Sequence, residues 1–118
     1  MLHKENRIAK QHEFDRFFGV SFKKLRGASA AGGFIIVKAF PSPRAKARVG
    51  FIVANTIDNR ATARNLIKRR LREIVRLKLT AMKNYDCLII AKPASKGKTY
   101  KELEREAMYL FRRVGLLK

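Results

Sequence analysis

The chain has 118 residues, of which 28 are Lys or Arg and 9 are Asp or Glu, giving a formal net charge of +19. This length suits one domain, and a hydrophobic content of 47% supplies a core, which excludes a disordered basic tail. Such an excess of like charge repels itself in a compact fold. We therefore expect a polyanionic partner, with nucleic acid favoured over an anionic membrane.

The rest of the composition narrows the class of protein further. A single Cys excludes an internal disulfide and a Cys-based zinc site. The sequence shows no signal-peptide pattern at its start and no run of about 18 apolar residues. These features predict a cytoplasmic protein without a membrane partner, in which residues 1–118 form a single domain and residues 1–7 a frayed tail.

The first half of the chain predicts one helix and two strands. Three Phe residues at helical spacing predict a short amphipathic helix over residues 10–18, which ends at Gly19. Apolar, partly β-branched runs predict strands over 34–40 and 48–54. The short connection between these strands favours an antiparallel hairpin.

Two segments in this half are less regular. Residues 21–27 fit a strand and a loop equally well, and the small residues of 28–33 indicate a linker or turn. Pro41 and Pro43 end the first predicted strand, because proline cannot donate to a strand ladder.

The second half predicts a long helix, a strand and a final helix. Helical spacing extends over residues 62–82, and an apolar run over 85–91 predicts a buried strand. Thr99 and Glu102 form a capping-box pattern for the last helix, and Gly115 stands just past its predicted end. Helices packed on one sheet account for this order of elements.

A stripe of cations runs along the long predicted helix. On a helical wheel with Ile67 at 0° and 100° per residue, the apolar side chains of the core face lie within about 80° of Ile67. An arc from about 60° to 200° carries five cations and one amide. These residues are Arg64, Lys68, Arg72, Asn65, Arg76 and Arg69. Glu73 lies beyond that arc. Arg70 and Lys78 point toward the apolar side, where they either extend along it or meet a carboxylate such as Asp86.

The stripe favours phosphate binding over simple solvation. Solvated helix faces usually mix charges, because like charges at positions i and i+4 destabilise a helix. Arg matches phosphate oxygens in bidentate geometry, and Asn65 can pair with a base edge or a ribose hydroxyl. Neutralising about six phosphates of a duplex would give a logarithmic salt slope of about −5.

The motif on this helix resembles that of a known family. Residues 64–72 read Arg-Asn-Leu-Ile-Lys-Arg-Arg-Leu-Arg, which is similar to the R-N-R-x-K-R-x-x-R motif of the bacterial ribonuclease P protein subunit. Residues 6–18, 48–53 and 85–92 resemble that family's N-terminal segment and first helix, its third strand and its fourth strand. The capped last helix follows at the expected distance, so the resemblance spans nearly the whole chain.

Three features differ from the family pattern. Leu66 stands where the motif usually has its second Arg, and Val37 replaces an aromatic residue. The loop over residues 55–61 lacks the usual Lys and Gly and is one residue longer.

The resemblance implies a fold and a division of labour. The implied fold is α+β, a single-domain α-β-β-β-α-β-α sandwich of the ribosomal protein S5 domain 2-like type, with an unusual left-handed β-α-β crossover. A large RNA subunit would remove the 5′ leader of precursor tRNA, using magnesium bound mainly by that RNA. The protein, as a monomer without catalytic residues of its own, would bind the ribonuclease P RNA and hold the leader.

The resemblance also implies two surfaces on this chain. The stripe described above would contact the catalytic RNA. Phe14 and Phe18 would floor a leader cleft by stacking on bases, although two Phe on one helix face also fit a core. The cationic walls of that cleft would be Arg7, Lys10, Arg48 and Lys92.

Three other functions explain fewer of the features of the sequence. A structural RNA-binding module, such as a ribosomal protein, shares the composition but not the ordered motifs. A membrane-active helix would carry aromatic residues, which the long helix lacks. A protein-only nuclease needs clustered carboxylates or an acid–base pair, and only His3 and His12 offer such a pair.

Overall fold

A computed structural model describes residues 3–42 and 46–118 of the chain. Four helices and four strands follow one another as α1 (Gln11–Asp15), α2 (Gly19–Lys24), β1 (Ala28–Ala31), β2 (Ile35–Pro41), β3 (Arg48–Ile52), α3 (Ala61–Lys78), β4 (Tyr85–Ala91) and α4 (Tyr100–Arg113). Short 3-10 turns lie at Lys4–Asn6, Leu79–Ala81 and Pro93–Ser95. The predicted α+β order is confirmed, with the first helix divided in two.

The four strands form one mixed sheet in the order β1-β2-β4-β3. β4 pairs antiparallel with β2 and parallel with β3, so the predicted hairpin between β2 and β3 is wrong. The apolar run of β4 is buried on both faces, and a central position between two strands provides that burial. The parallel β3–α3–β4 unit is the crossover that the resemblance implied, and its hand stays a prediction.

The small-residue segment before β2 is a strand rather than a linker. Ala28–Ala31 pairs antiparallel with β2, from Ala28 opposite Ala39 to Ala31 opposite Ile36. The turn between the two strands contains Gly32, whose N–H donates to the Ile35 carbonyl at 2.9 Å. The alternation of apolar and polar residues that indicates a strand is weak in this segment, because alanine and serine differ little in hydrophobicity.

The first predicted helix is interrupted where the sequence suggested continuity. α1 ends at Asp15, and α2 begins at Gly19, a glycine with φ +67°. Gly19 therefore opens a helix instead of ending one, and most of the ambiguous 21–27 segment is helical. The extended backbone of Phe18 between the helices separates its side chain from that of buried Phe17.

The sheet has two unequally covered faces. α3 and α4 pack on one face and enclose the main core, which includes Val37, Ile67, Leu71, Ile89 and Phe111. A smaller cluster on the other face lies beneath α1, α2 and the N-terminal segment, and it consists of Ile8, Phe17, Phe40 and Leu88. The second face is therefore only partly closed.

The later elements follow the sequence prediction closely. The helix predicted over 62–82 is α3 followed by a 3-10 turn, and β4 has the predicted bounds. The Thr99 hydroxyl accepts from the Glu102 N–H at 3.2 Å, and Glu102 accepts from the Thr99 N–H at 3.2 Å, which confirms the capping box. Gly115 follows the C-cap with φ +75°.

The N-terminal segment is attached to β3 where a frayed tail was expected. The Ile8 N–H donates to the Val49 carbonyl at 3.0 Å, and the Asn6 side chain donates to the Ala47 carbonyl at 2.8 Å. Residues 1 and 2 of the expected tail, and Pro43 of the expected strand end, lie outside the described residues. Within the described ranges, no helix is long and apolar enough to cross a membrane.

Candidate nucleic-acid interface

The cation stripe lies on α3, beside the face that the helix buries through Ile67, Leu71, Ile74 and Val75. Asn65, Arg69, Arg72 and Arg76 are exposed, whereas Arg64 and Lys68 are half-buried. The wheel geometry of the sequence is thus reproduced by the packing of the helix.

Two members of the stripe have partners inside the protein. Arg76 forms an ion pair with Glu73, with Nη2 and Oε1 at 2.5 Å, so the like-charge ladder is not continuous to its end. The acid expected beyond the stripe reaches it because positions i and i+3 are neighbours on a helix. Arg64 donates to the Asp58 carbonyl at 2.9 Å, which fixes its guanidinium at the start of α3.

The loop before α3 is organised by a buried acid. The Asp58 side chain is 3% exposed and forms ion pairs with Arg60 and Lys96, at 2.9 and 3.0 Å. Hydrogen bonds from Arg60, through its side chain and its N–H, together with Lys96, hold the pKa of Asp58 well below its usual range. Asp58 therefore stays ionised and ties this loop to the segment between β4 and α4.

A basic groove lies between the N-terminal segment, β3 and α3. Its volume is about 580 Å³, and its lining includes Lys4, Arg7, Lys10, Lys68 and Arg72. The Arg72 guanidinium lies 6.0 Å from the ring centroid of Phe51, which also lines the groove. Arg7 and Lys10, which were predicted as walls of a leader cleft, therefore line the same groove as Lys68 and Arg72 of the stripe on α3.

Arg48 is a buried ion-pair residue and not a free cationic wall. Its Nε and Nη2 donate to the two Asp86 carboxylate oxygens at 3.1 and 2.9 Å, and its Nη1 donates to Glu13 at 2.5 Å. Burial acts to raise the pKa of Glu13, but the Arg48 hydrogen bond and charge outweigh it and leave that pKa lowered. The triad joins α1, β3 and β4, so Arg48 positions the elements around the groove.

The two predicted cleft aromatics have different surroundings. Phe14 is half-buried over Gly50, where an added Cβ would lie 2.7 Å from its ring. Phe18 is 45% exposed, and the Lys38 ammonium lies 4.3 Å from its ring centroid. Phe18 is thus an available stacking platform, whereas Phe14 packs between α1 and the sheet.

The open part of the second face lies next to Phe18. Ile36, Ile90 and Ile52 stand opposite one another across three strands, and each is only half-buried. Lys38 is two residues from Ile36 on the same strand face, and its ammonium donates to the Phe17 carbonyl at 3.1 Å. Sequence reasoning missed Lys38, although a single cation within an apolar strand run was a readable signal of a half-open face.

The remaining predicted cations are directed elsewhere. Lys92 follows the last residue of β4 and donates to the Gly32 carbonyl at 2.9 Å. Arg48 pairs with Asp86, which lies near the other end of β4. Arg70 was predicted to extend along the apolar side or to meet a carboxylate, but it donates to the backbone carbonyl of Lys98 at 2.5 Å. Lys92 and Arg48 therefore do not form two walls of one cleft.

The chain matches a known protein family over nearly its whole length. The family model for ribonuclease P matches residues 2–115 of the chain. The chain belongs to the ribonuclease P protein family. A ribonuclease P protein component from Clostridium novyi is 32% identical over 118 residues, covering 98% of both chains. One from Thermus aquaticus is 37% identical over 98 residues, which are 82% of this chain but only 57% of that relative.

Solved ribonuclease P proteins share the fold. A mutant of the Staphylococcus aureus RNase P protein superposes with a TM-score of 0.84 at 25% identity, covering 97% of this chain and 92% of that one. The RNase P protein from Thermotoga maritima gives a TM-score of 0.69 at 22% identity, covering 80% and 92%. The family resemblance seen in the motif on α3 therefore extends to the tertiary structure.

The described residues include one cysteine and no cluster of potential metal ligands. No three His, Cys, Asp or Glu side chains come together as a metal site within 3–42 and 46–118. Cys87 is buried, and burial raises the pKa of its thiol, so it is not available as a nucleophile. The exposed side chains of the groove and the stripe offer hydrogen-bond donors and positive charge.

Proposed function

We propose that the chain binds the catalytic RNA of ribonuclease P and the 5′ leader of precursor tRNA, and so assists removal of the leader. The observation that carries the proposal is the basic groove, in which the N-terminal segment and α3 supply cations to one surface. In the same proposal the protein acts in the cytoplasm as a monomer within the ribonucleoprotein.

The catalytic RNA is the proposed ligand of α3 and the groove. Arg64, Asn65, Lys68, Arg69 and Arg72 present donors along one helix face. Lys4, Arg7 and Lys10 line the groove together with Lys68 and Arg72 of that face. Glu13 is the acid among the lining residues, and its carboxylate is bonded to Arg48. An RNA strand in this groove would meet cations on both sides, which favours phosphate contacts.

The leader is the proposed ligand of the open sheet face. Phe18 offers an exposed ring and Lys38 a cation beside it, so a base and its phosphate can be bound together. The row of Ile36, Ile90 and Ile52 provides an apolar floor for further bases. None of these contacts reads a base edge, so the surface suits leaders of varied sequence.

The cleavage step is assigned to the RNA subunit. In this proposal the RNA subunit binds most of the magnesium and carries out the cleavage. The protein would neutralise phosphates of RNA and substrate, which lowers the repulsion between the two polyanions.

Reconstitution with the catalytic RNA tests the proposal. At low magnesium concentration, we expect the full chain to increase the rate of precursor-tRNA cleavage above that of the RNA alone. If the chain binds this RNA with no gain in cleavage, it is a structural RNA-binding module and the proposal is wrong.

The leader site has its own test. Phe18→Ala should weaken binding of leader-bearing precursor about tenfold, while leaving the affinity for mature tRNA unchanged. Val20→Ala, which shortens a 69% exposed side chain on α2, is the matched control and should have no effect. Equal losses for precursor and mature tRNA would remove Phe18 from the leader site.

A further inference from the structure

The outer face of α4 carries a second group of exposed cations that the groove does not use. The helix packs on the sheet through Leu103, Ala107, Leu110 and Phe111, all of them fully buried. On the opposite side, Lys101, Arg105 and Arg112 are exposed at helical spacing. α4 therefore presents a row of exposed cations, although the same helix also carries Glu102, Glu104 and Glu106.

Two of the three acids of α4, Glu102 and Glu106, are engaged in internal bonds. Glu102 belongs to the capping box with Thr99. Glu106 accepts the backbone N–H groups of Gly33, Phe34 and Ile35 at 2.7, 2.8 and 2.8 Å. These bonds hold both carboxylates in place at the edge of the face, where they line one cleft with Arg105.

Two aromatic side chains line a cleft at the edge of this face. The cleft has a volume of about 440 Å³ and is lined by Phe34, Tyr109, Arg105, Glu102 and Glu106. Tyr109 is 57% exposed, whereas Leu103, Leu110 and Phe111 of the same helix are fully buried. An exposed aromatic ring beside a guanidinium is the side-chain pair that stacks on a base and binds its phosphate.

Each ring already has a cation next to it. The Lys98 ammonium lies 4.9 Å from the Phe34 centroid. The Arg113 guanidinium lies 5.8 Å from the Tyr109 centroid and donates to its hydroxyl at 3.1 Å. A nucleotide stacked on either ring would therefore place its phosphate near a positive charge.

This surface is separate from the groove. Arg70 of α3 donates to the Lys98 carbonyl, which marks the side of α3 that faces the start of α4. Lys68 and Arg72 point to the other side of α3, toward β3 and the N-terminal segment. The two basic surfaces thus lie on opposite sides of the contact between α3 and α4.

We propose that the outer face of α4 and its aromatic cleft bind a single-stranded segment of RNA. A base stacks on Tyr109 or Phe34, and the phosphates lie along Arg105, Arg112 and Lys101. Glu102 and Glu106 turn the phosphates outward and accept hydrogen bonds from base amino groups. An acidic peptide fits less well, because these carboxylates repel its side chains and it has no base to stack.

A single tryptophan can report on this site, because the chain contains no Trp. The full-length Tyr109→Trp variant is titrated with a 12-nucleotide single-stranded RNA, and the Trp emission is followed. We expect saturable quenching by base stacking, and adding Arg105→Gln should raise the Kd of that quenching about three- to tenfold. The matched control is Leu77→Trp, which places the probe at a 51% exposed position of α3 that lines neither the groove nor the aromatic cleft.

The outcomes separate the proposal from its alternatives. Quenching of the Trp at 109, but not of the Trp at 77, with a dependence on Arg105 supports it. The absence of quenching, equal quenching of both probes, or no effect of Arg105→Gln overturns it. Equal quenching by polyglutamate would overturn RNA as the ligand. The assay uses no cleavage reaction, so its failure leaves the proposed function intact.

Discussion

At the scale of single residues, buried charge is as important to this protein as surface charge. Arg48 was expected on a cleft wall, but it lies between Glu13 and Asp86 with its guanidinium bonded to both carboxylates. A buried ion pair adds little net stability, yet removing one partner leaves the other charges uncompensated. The position of Arg48 therefore makes it a structural residue for the groove.

Replacing Arg48 tests this role. Arg48→Met keeps most of the apolar side-chain volume but leaves two buried carboxylates unpaired, so the free energy of unfolding should fall by about 3–5 kcal/mol. Urea denaturation monitored by circular dichroism measures the change. Arg16→Met, which removes an exposed Arg just after α1, should change that free energy by less than about 0.5 kcal/mol. Similar values for both variants would contradict the role of the triad.

The triad also gives stability a defined pH dependence. The folded-state pKa of Glu13 lies below its ordinary value of 4.5, so the ionised acid stabilises the fold above that pH. This contribution is lost as pH falls from about 4.5 through the lowered pKa. In Arg48→Met the burial of Glu13 remains without its partner, so acid should relieve the defect. The difference in unfolding free energy between wild type and variant should shrink below pH 4.5, and parallel pH profiles would contradict this.

At the scale of elements, a few polar contacts fix how helices sit on the sheet. Glu106 ties α4 to the start of β2 by accepting three consecutive backbone N–H groups. Asp58 ties the loop before α3 to Lys96 in the segment before α4. These contacts join parts of the chain that are distant in sequence, and a helical wheel cannot show them.

The Glu106 tether has a measurable consequence. Glu106→Gln replaces one acceptor oxygen with a donor that faces backbone N–H groups, so unfolding should become easier by about 1–3 kcal/mol. Hydrogen exchange should accelerate at the amides of Phe34 and Ile35, which the carboxylate now protects. Lys101→Gln on the exposed side of the same helix should alter neither quantity. Unchanged exchange at both amides would show that β1 and β4 hold this strand end without the tether.

At the scale of the whole molecule, the net charge is divided among separate surfaces. The groove gathers cations from the N-terminal segment and α3, and the outer face of α4 carries others. Phosphate contacts release counterions, so each cation that binds RNA adds to the salt dependence of affinity.

The salt slope therefore counts the cations that act in the groove. Arg72→Ala should weaken binding to the catalytic RNA and reduce the magnitude of the logarithmic salt slope by about 1. Lys23→Ala on α2 removes an exposed charge outside the groove and should leave the slope unchanged. Filter binding between 50 and 200 mM salt measures both slopes. An unaltered slope for Arg72→Ala would mean that its charge is merely solvated.

The groove shows how far the sequence could predict the site. The period of α3 determined which cations share a face, because a helix of known rise and turn places side chains without reference to the rest of the fold. Arg7 and Lys10 could not be placed in this way. They reach the groove because the Ile8 N–H bonds to β3, a contact between residues 41 positions apart.

The sequence by itself determined the type of α3, β4 and α4, the bounds of β4, the capping box, and a charge excess that favours a polyanionic partner. These follow from local periodicity, local hydrogen bonds and a sum of charges. Only the tertiary structure decided that β4 separates β2 from β3, that Arg48 is buried, and that Lys38 stands beside an exposed Phe18. Strand order, burial and the pairing of distant charges depend on contacts between segments far apart in the chain, and no local pattern encodes them.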